Sequence, residues 1–240
     1  MKKGVLGGYF TKFERGLWLC SVTVIILSYL FTGNDRILYM ITSLLGITSL
    51  IFIAKGNVIG QLLMVVFCIL YGVISYSYRY YGEMITYLGM SLPICIVSVI
   101  TWLRNPFSGK KSEVRVEQLR GKDYALVIPA ALLMTGILGW ILYALKTENL
   151  FFSVLSVFTS GCAVLLCMRR CPFFALAYAA NDVVLIALWV LAATENADYL
   201  GMVFCFLAFL ANDLYSFLSW RRMAGRQSAA EAEPSKSENS

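Results

Sequence analysis

Long apolar runs, separated by short polar segments, dominate this chain of 240 residues. A run of about 17 or more apolar residues is long enough to cross the hydrocarbon core of a bilayer as a helix. The pattern therefore predicts an all-α, polytopic membrane protein. Its eight predicted transmembrane helices cover residues 16–31, 37–54, 57–78, 82–103, 123–145, 150–168, 172–193 and 199–220.

The composition agrees with this pattern. Apolar residues make up 59% of the chain and charged residues only 14%, with a mean hydropathy of +0.72. Soluble domains have about 45–50% apolar and about 25% charged residues. The basic start, residues 1–15, has no short apolar run followed by a small-residue cleavage site, so no cleavable signal peptide is expected.

Lysine and arginine residues fall mainly on one side of the predicted membrane. With the amino terminus in the cytoplasm, 17 of the 20 basic residues lie in cytoplasmic segments, and only Arg36, Arg79 and Lys146 lie outside. Short cytoplasmic loops of membrane proteins carry an excess of these residues. The sequence thus predicts that both termini are cytoplasmic. The same rule explains the net charge of +6 without a nucleic-acid partner.

The two halves of the chain resemble each other. A shift of 118 residues places Trp102 on Trp220 and Met84 on Met202, so the second to fourth predicted helices overlie the sixth to eighth. Because the shift spans four helices, both copies run parallel through the membrane. The predicted division is an N-terminal tail with an extra helix, a three-helix bundle, a loop with a linker helix, a second three-helix bundle and a disordered cytoplasmic tail. The bounds are 1–36, 37–103, 104–149, 150–222 and 223–240.

The residue types present narrow the possible function. The chain has seven cysteines and no histidine. The cysteines form no CxxC pair and are odd in number, which favours packing residues over disulfides. The lack of histidine excludes histidine-based catalysis, and there is no phosphate-binding loop. We therefore expect no enzyme activity, no cofactor and no metal site. A channel is also disfavoured because the polar residues cluster at one depth.

Two matched polar pairs interrupt the last two apolar runs. Asn181-Asp182 lies near the middle of the seventh run, and Asn212-Asp213 near the middle of the eighth. A charged side chain at the centre of a membrane helix costs about 2.5–3.5 kcal/mol. Two such pairs indicate a polar site between helices. The alternative is that the pairs only form hydrogen bonds between helices, which are common in membrane proteins.

Residues on the same helix faces as these pairs extend the candidate site, because side chains three and four positions apart share a face. Aromatic rings, amides and carboxylates together suit a small, flat, polar molecule, and carboxylates favour a cation. Gln61, in the third run, is a candidate from the first half. The predicted substrate-binding residues are Asn181, Asp182, Asn212, Asp213, Tyr178, Trp189, Tyr215, Ser216 and Gln61.

Three short strings resemble the PnuC-type vitamin transporters, which are bacterial carriers of nicotinamide riboside and related molecules. The resemblance runs from about residue 37 to residue 222. It implies a fold like that of the SWEET sugar transporters, a homotrimer in the bacterial inner membrane, and facilitated diffusion. It also implies a functional link to a cytosolic kinase that traps the imported riboside by phosphorylation. The strings are Gly56-Asn57-Val58-Ile59-Gly60, Tyr80-Tyr81-Gly82-Glu83-Met84 and Trp102-Leu103-Arg104-Asn105-Pro106.

One departure from the family pattern bears on the substrate. Nicotinamide-riboside carriers place Trp-x-x-Trp-x-x-x-Asn on the helix with the first Asn-Asp pair. Here those positions are Phe174, Ala177 and Asn181, which makes Phe174 a further candidate site residue. Alanine in place of the second indole opens volume and removes a stacking surface. Thiamine, riboflavin or a deoxynucleoside are therefore alternative substrates, and proton or sodium coupling through the two aspartates is an alternative mechanism.

Overall fold

A computed structural model of the chain describes residues 9–32, 37–77, 81–147, 149–195 and 197–232. Within these ranges, eight helices are long and apolar enough to cross a membrane, which confirms the predicted fold class. A short antiparallel hairpin, with strands β1 (Pro106–Phe107) and β2 (Lys110–Val114), joins α4 to α5. The helices are α1 (Lys12–Thr32), α2 (Ile37–Ala54), α3 (Val58–Ser77), α4 (Tyr81–Arg104), α5 (Gly121–Ala144), α6 (Leu150–Met168), α7 (Phe174–Glu195) and α8 (Leu200–Ala232).

The helices form two bundles of three. In the first bundle α3 packs against α2 and α4, and in the second bundle α7 packs against α6 and α8. The bundles meet along two contacts, α2 with α8 and α4 with α6. The linker helix α5 packs mainly on α6, and α1 lies across the seam on both α2 and α8. This is the arrangement of an extra helix and two parallel repeats that the sequence predicts.

The start of α1 shows how local sequence sets a helix boundary. The backbone N–H of Glu14 donates to the Thr11 hydroxyl at 3.1 Å, and the backbone N–H of Thr11 donates to the Glu14 carboxylate at 2.7 Å. These reciprocal bonds form a capping box, which satisfies N–H groups that a helix start leaves without partners. As a result α1 begins at Lys12, earlier than the apolar run that predicted it.

Helix α4 departs from regular α-helical geometry in its middle. It is an α-helix over Tyr81–Ile85 and Leu92–Arg104, and a π-helix over Thr86–Ser91. Pro93 follows this segment. A proline has no N–H to donate and its ring collides with the carbonyl four residues earlier, so the wider π-helical turn relieves this conflict. π-Helical segments occur often at functional sites.

The internal repeat is visible in equivalent hydrogen bonds at the ends of α2 and α6. Gly56 and Arg170 both adopt positive φ, at 66° and 55°, as is usual where a helix ends in a left-handed residue. The offset between the halves at this point is 114 residues. It rises to 116 residues at the starts of α3 and α7, Val58 and Phe174, and to 118 residues at their ends, Ser77 and Glu195, because the connection before α7 and α7 itself are each two residues longer than in the first half. The equivalent bonds are Gly56 N to Ile53 O with Arg170 N to Cys167 O, and Asn57 N to Phe52 O with Cys171 N to Leu166 O.

Two tryptophans at equivalent positions of the repeat each form a hydrogen bond to the opposite bundle. Trp102 of α4 donates from Nε1 to the carbonyl of Cys167 in α6 at 3.1 Å, and Trp220 of α8 donates to the carbonyl of Ile53 in α2 at 2.8 Å. The last carbonyls of a helix have no partner within the helix, so each indole caps a helix of the opposite bundle. The two rings lie side by side, with centroids 5.4 Å apart.

The predicted disordered tail from residue 223 is wrong for residues 223–232, because α8 continues to Ala232. Two side chains of this extension bind the hairpin. Arg226 pairs with Glu113 at 2.7 Å, and Gln227 donates to Glu113 and to the carbonyl of Val114 at 2.7 and 3.0 Å. These partners lie more than 100 residues away in the chain, so the local polar composition gave no sign of them. Residues 233–240 of the predicted tail lie outside the described residues.

Gly60 allows α3 to approach α2 closely, which yields a stability prediction. A Cβ at Gly60 would lie 2.6 Å from the backbone nitrogen of Ile53 and 2.8 Å from the carbonyl oxygen of Ser49. We expect Gly60→Ala to lower the free energy of unfolding by about 1–3 kcal/mol, as overpacking does. Thermal unfolding of the protein in detergent measures this loss.

Gly136 in α5 provides the matched control, because nothing lies within 4 Å of a Cβ built there. Gly136→Ala should leave the melting temperature unchanged or raise it, since alanine is favoured over glycine in a helix by about 1 kcal/mol. If both variants melt at the wild-type temperature, the close approach of α2 and α3 does not make a glycine at position 60 necessary for stability.

Candidate substrate site

A small cavity of about 40 Å³ lies between the two bundles. A water molecule needs about 10–15 Å³, so the cavity has room for a few waters at most and is too small for a larger organic molecule in this conformation. Helices α2, α3 and α4 supply one wall, and α6, α7 and α8 supply the other. The lining residues are Leu50, Met64, Phe67, Cys68, Tyr87, Ser91, Cys95, Ser160, Tyr178, Asn181, Asp182, Phe206 and Phe209.

Asn181 presents a free amide donor beside this cavity. Its Oδ1 accepts hydrogen bonds from Ser156 at 3.2 Å and Thr159 at 2.9 Å, both on α6. These two bonds fix the orientation of the side chain. Its Nδ2 donates to no other residue in the described ranges. Asn181 can therefore donate a hydrogen bond to a molecule that enters the cavity.

The carboxyl groups of Asp182 and Asp213 meet where α7 packs on α8. They lie within hydrogen-bonding reach of each other, and the two residues are only 3% and 2% exposed. An ionised carboxylate can only accept hydrogen bonds, so a bond between these groups requires a proton on one of them. Asp182 Oδ2 and Asp213 Oδ1 have no partner among the described residues. Asp182 lines the cavity, and Asp213 lies behind it.

Asn212 faces the extra helix α1 in this conformation. Its Nδ2 donates to the Ser21 hydroxyl at 2.9 Å and to the carbonyl of Ala208 at 2.8 Å. Its Oδ1 and the hydroxyl of Ser216 are buried, and neither has a partner within the described part of the chain. Buried polar atoms are hydrogen-bonded in about 90% of cases. Several buried polar atoms without a hydrogen-bond partner therefore lie on α7 and α8, on or close to the two aspartates, which is unusual for a protein interior.

The remaining predicted residues are spread along the bundle. Tyr178 lines the cavity, but Trp189 packs against Tyr199 with ring centroids 5.7 Å apart. The Tyr215 hydroxyl donates to Glu14 of α1 at 2.8 Å. The role of all the predicted residues in substrate binding stays a prediction, whether or not they line the cavity.

Gln61 and Phe174 are buried at the contacts between helices. Gln61 donates from Nε2 to the Cys167 sulfur at 3.1 Å, which joins α3 to α6. Phe174 is fully buried, with its ring centroid 4.9 Å from that of Trp220 and 6.2 Å from that of Tyr178. Neither residue lines the cavity in this conformation.

The first bundle contributes aromatic side chains that were not among the predicted site residues. Tyr87 lies in the π-helical segment of α4, and its ring centroid is 6.0 Å from that of Phe67 in α3. Phe67 in turn lies 5.8 Å from Phe209 of the second bundle. An available signal was Pro93, because a proline in the middle of an apolar run indicates an irregular helix. Such irregularity often lines a site.

Two parallel three-helix repeats, with a cavity at their seam that contains an amide and a carboxyl group, are the architecture of a transporter. A protein-family model described as nicotinamide mononucleotide transporter matches residues 36–222. This range is most of the chain, so the protein belongs to that family of multi-pass membrane transporters and is not an enzyme. The match confirms the family that the sequence resembles.

Individual relatives agree with this assignment. The nicotinamide riboside transporter PnuC of Neisseria mucosa is 25% identical over 95% of this chain and 87% of its own length. The protein with that name in Haemophilus influenzae is 24% identical over 80% of this chain and 82% of its own length. A crystal structure of the vitamin B3 transporter PnuC superposes with a TM-score of 0.79, covers 92% of this chain and 95% of that chain, and is 24% identical. This likeness shows the same fold.

Asn212 generates a prediction that separates substrate binding from helix docking. We expect Asn212→Ala to abolish substrate binding while the protein stays folded in the membrane, with nicotinamide riboside as the test ligand because the relatives are named for it. Ser21→Ala removes only the hydrogen bond to α1 and should leave binding near the wild-type level. Isothermal titration calorimetry on both purified variants measures this difference. Equal losses in the two variants would mean that Asn212 acts through α1 and not on the ligand.

Proposed function

We propose that the protein carries nicotinamide riboside, or a closely related B vitamin or nucleoside, into the bacterial cytoplasm. The observation that supports this most directly is the cavity at the seam of the two bundles. It combines the aromatic rings of Tyr87, Tyr178 and Phe209 with a free amide donor at Asn181 and a carboxyl group at Asp182. Rings stack on a flat heterocycle, and amides and carboxyls bind its polar substituents.

Transport proceeds by rocking of one bundle against the other around this site, as in other transporters with parallel repeats. The end of the seam near the hairpin is closed by the indole bonds of Trp102 and Trp220. Opening at that end requires both bonds to break. Because each bond has a net value of only about 0.5–1.5 kcal/mol, this closure is reversible.

In the proposed orientation both termini and the hairpin lie in the cytoplasm, and the protein resides in the bacterial inner membrane. The distribution of basic residues supports this, with 17 of 20 on that side. Movement is by facilitated diffusion, and a cytosolic kinase that phosphorylates the imported riboside retains it in the cell. No ion gradient is needed for uptake that is followed by such a reaction.

A homotrimer is the proposed assembly. Helix α5 supports an external contact surface, because it has few neighbours within the chain and exposes large apolar side chains. Leu133, Trp140 and Tyr143 are 66%, 72% and 70% exposed. This face lies against lipid or against a second copy of the chain.

The aromatic pattern of α7 favours a second group of substrates. Ala177 stands one residue before Tyr178, where carriers of nicotinamide riboside have a tryptophan in the family pattern. Alanine removes a ring that would stack on the substrate, which favours a different ring system. Thiamine, riboflavin and deoxynucleosides are therefore the alternative substrates within the same function.

Calorimetric binding against a panel tests the substrate directly. We expect purified protein in detergent to bind nicotinamide riboside more tightly than thiamine, riboflavin or deoxynucleosides, because the relatives that cover most of the chain carry that name. Tighter binding of another member would show that Ala177 changes the specificity. Lack of binding across the panel would contradict the vitamin-transport proposal.

Uptake into proteoliposomes tests the transport mechanism. Without a kinase inside, labelled nicotinamide riboside should reach the external concentration and no more, with or without an imposed proton or sodium gradient. Empty liposomes provide the control for leakage. Accumulation above the external concentration under an inward gradient would contradict facilitated diffusion and favour ion coupling through Asp182 and Asp213.

A further inference from the structure

The start of helix α1 crosses the seam between the two bundles, at the end near the hairpin. The carboxylate of Glu14 is buried there, with the residue only 2% exposed. The Tyr215 hydroxyl of α8 donates to its Oε1 at 2.8 Å, and the ammonium of Lys55, directly after α2, lies 3.3 Å from both of its oxygens. We call these contacts the Glu14 bridge. Because α2 and α8 belong to opposite bundles, the bridge spans the seam.

The segment that leads into α1 is attached to the first bundle. Asn57 donates from Nδ2 to the Tyr9 hydroxyl at 2.9 Å, and the ring of Phe10 meets the ring of Phe52 edge-on, with centroids 5.3 Å apart. The Lys55 ammonium also lies over the Tyr9 ring, 5.2 Å from its centroid. This segment is therefore expected to move with the first bundle. Separation of the bundles then breaks the part of the Glu14 bridge that reaches α8.

Breaking that contact deprives a buried carboxylate of a hydrogen-bond donor. Within the described residues, the other donors to Glu14 are the Lys55 ammonium and the backbone N–H of Thr11, at 2.7 Å in the capping box. Hydrogen bonds to a charged group are stronger than those between neutral groups, and a buried charge that loses a partner is destabilised. The Glu14 bridge thus favours the conformation in which this end of the seam is closed.

We propose that the Glu14 bridge holds the hairpin end of the seam closed, and that the bond from Tyr215 to Glu14 breaks whenever this end opens. Tyr215 is then a positioning residue that acts through α1. The inference rests on the proposed function in one respect, that the bundles separate at this end during transport. Glu14 lies outside the residues that the family model matches, 36–222, so this closure is additional to the indole bonds between the repeats.

Two native cysteines can report the opening of the seam. Cys68 and Cys95 line the cavity and are 1% and 3% exposed, so a water-soluble thiol reagent reaches them only when the bundles separate. In the proposed orientation, inside-out membrane vesicles present the hairpin end to the reagent. A membrane-impermeant methanethiosulfonate is added without substrate, and mass spectrometry follows the mixed disulfides at both cysteines. Because only the open form reacts, the labelling rate follows the population of that form.

Two variants weaken the Glu14 bridge to different degrees. Tyr215→Phe removes the donor hydroxyl and keeps the ring, which packs on Phe13 with centroids 5.2 Å apart. We expect its cavity thiols to react at least about tenfold faster than in the wild type, as for the loss of one hydrogen bond to a charged group. Glu14→Gln should give a smaller increase, because glutamine keeps the capping box and still accepts from Tyr215, but without the charge.

Trp18→Phe provides the matched control. Trp18 donates to the Thr48 hydroxyl of α2 at 3.3 Å, so this bond joins α1 to the bundle with which it is expected to move. The cavity thiols of this variant should react at the wild-type rate. An unchanged rate in Tyr215→Phe, or an equal increase in Trp18→Phe, would overturn the proposal. If Tyr215→Phe does not fold, Glu14→Gln and Trp18→Phe still supply the comparison.

The outcomes separate this inference from the proposed transport mechanism. If the thiols react in the wild type and Tyr215→Phe does not change the rate, the rocking motion stands and the role of the Glu14 bridge is wrong. If the thiols react in no variant, the separation of the bundles at this end is wrong, and the role of the Glu14 bridge fails with it.

Discussion

The hydrocarbon core of the bilayer is the constraint on which the rest of this structure depends. No water is available there, so every polar group must find its partner inside the protein. Helices satisfy the backbone, and many hydroxyl side chains donate to a carbonyl one turn earlier in the same helix. Thr42, Ser98 and Thr135 do so at distances of 2.7–2.9 Å. The polar atoms left over at the α7–α8 contact depart from this rule, and for that reason they indicate a site.

The seam between the bundles is held by few direct bonds. At the hairpin end, Trp102 and Trp220 each cap a helix of the opposite bundle. These bonds are equivalent in the repeat, so neither bundle is favoured as the moving one. This symmetry is compatible with a transporter whose two halves rock about a shared axis. The cavity lies between the bundles, so the proposed rocking motion would also change the volume available to a ligand.

Helix α1 adds a third element to this mechanism. It lies outside the residues matched by the family, which begin at residue 36, yet it contacts both bundles. Glu14 pairs with Lys55 at the end of α2 and accepts a hydrogen bond from Tyr215 of α8. Trp18 donates to Thr48 of α2, at 3.3 Å. In the proposed rocking motion the bundles move apart, and a helix attached to both would have to adjust, so its contacts would influence the energy of that motion.

Apolar run length determined the eight helices, and the positions of Trp102 and Trp220 indicated the repeat, because both are one-dimensional patterns imposed by the bilayer. The Asn-Asp pairs were visible for the same reason, since polar residues in an apolar run are costly. The sequence did not show the continuation of α8, because Arg226 and Gln227 find their partners on a distant hairpin. The sequence also predicted that Asn181 and Asn212 belong to the same polar site. In the structure Asn181 lines the cavity, whereas Asn212 donates a hydrogen bond to Ser21 of α1. The sequence by itself determined which residues are polar within the membrane. Only the tertiary structure decided which of them face the cavity, because that choice depends on the rotation of each helix and on the neighbours that pack against it.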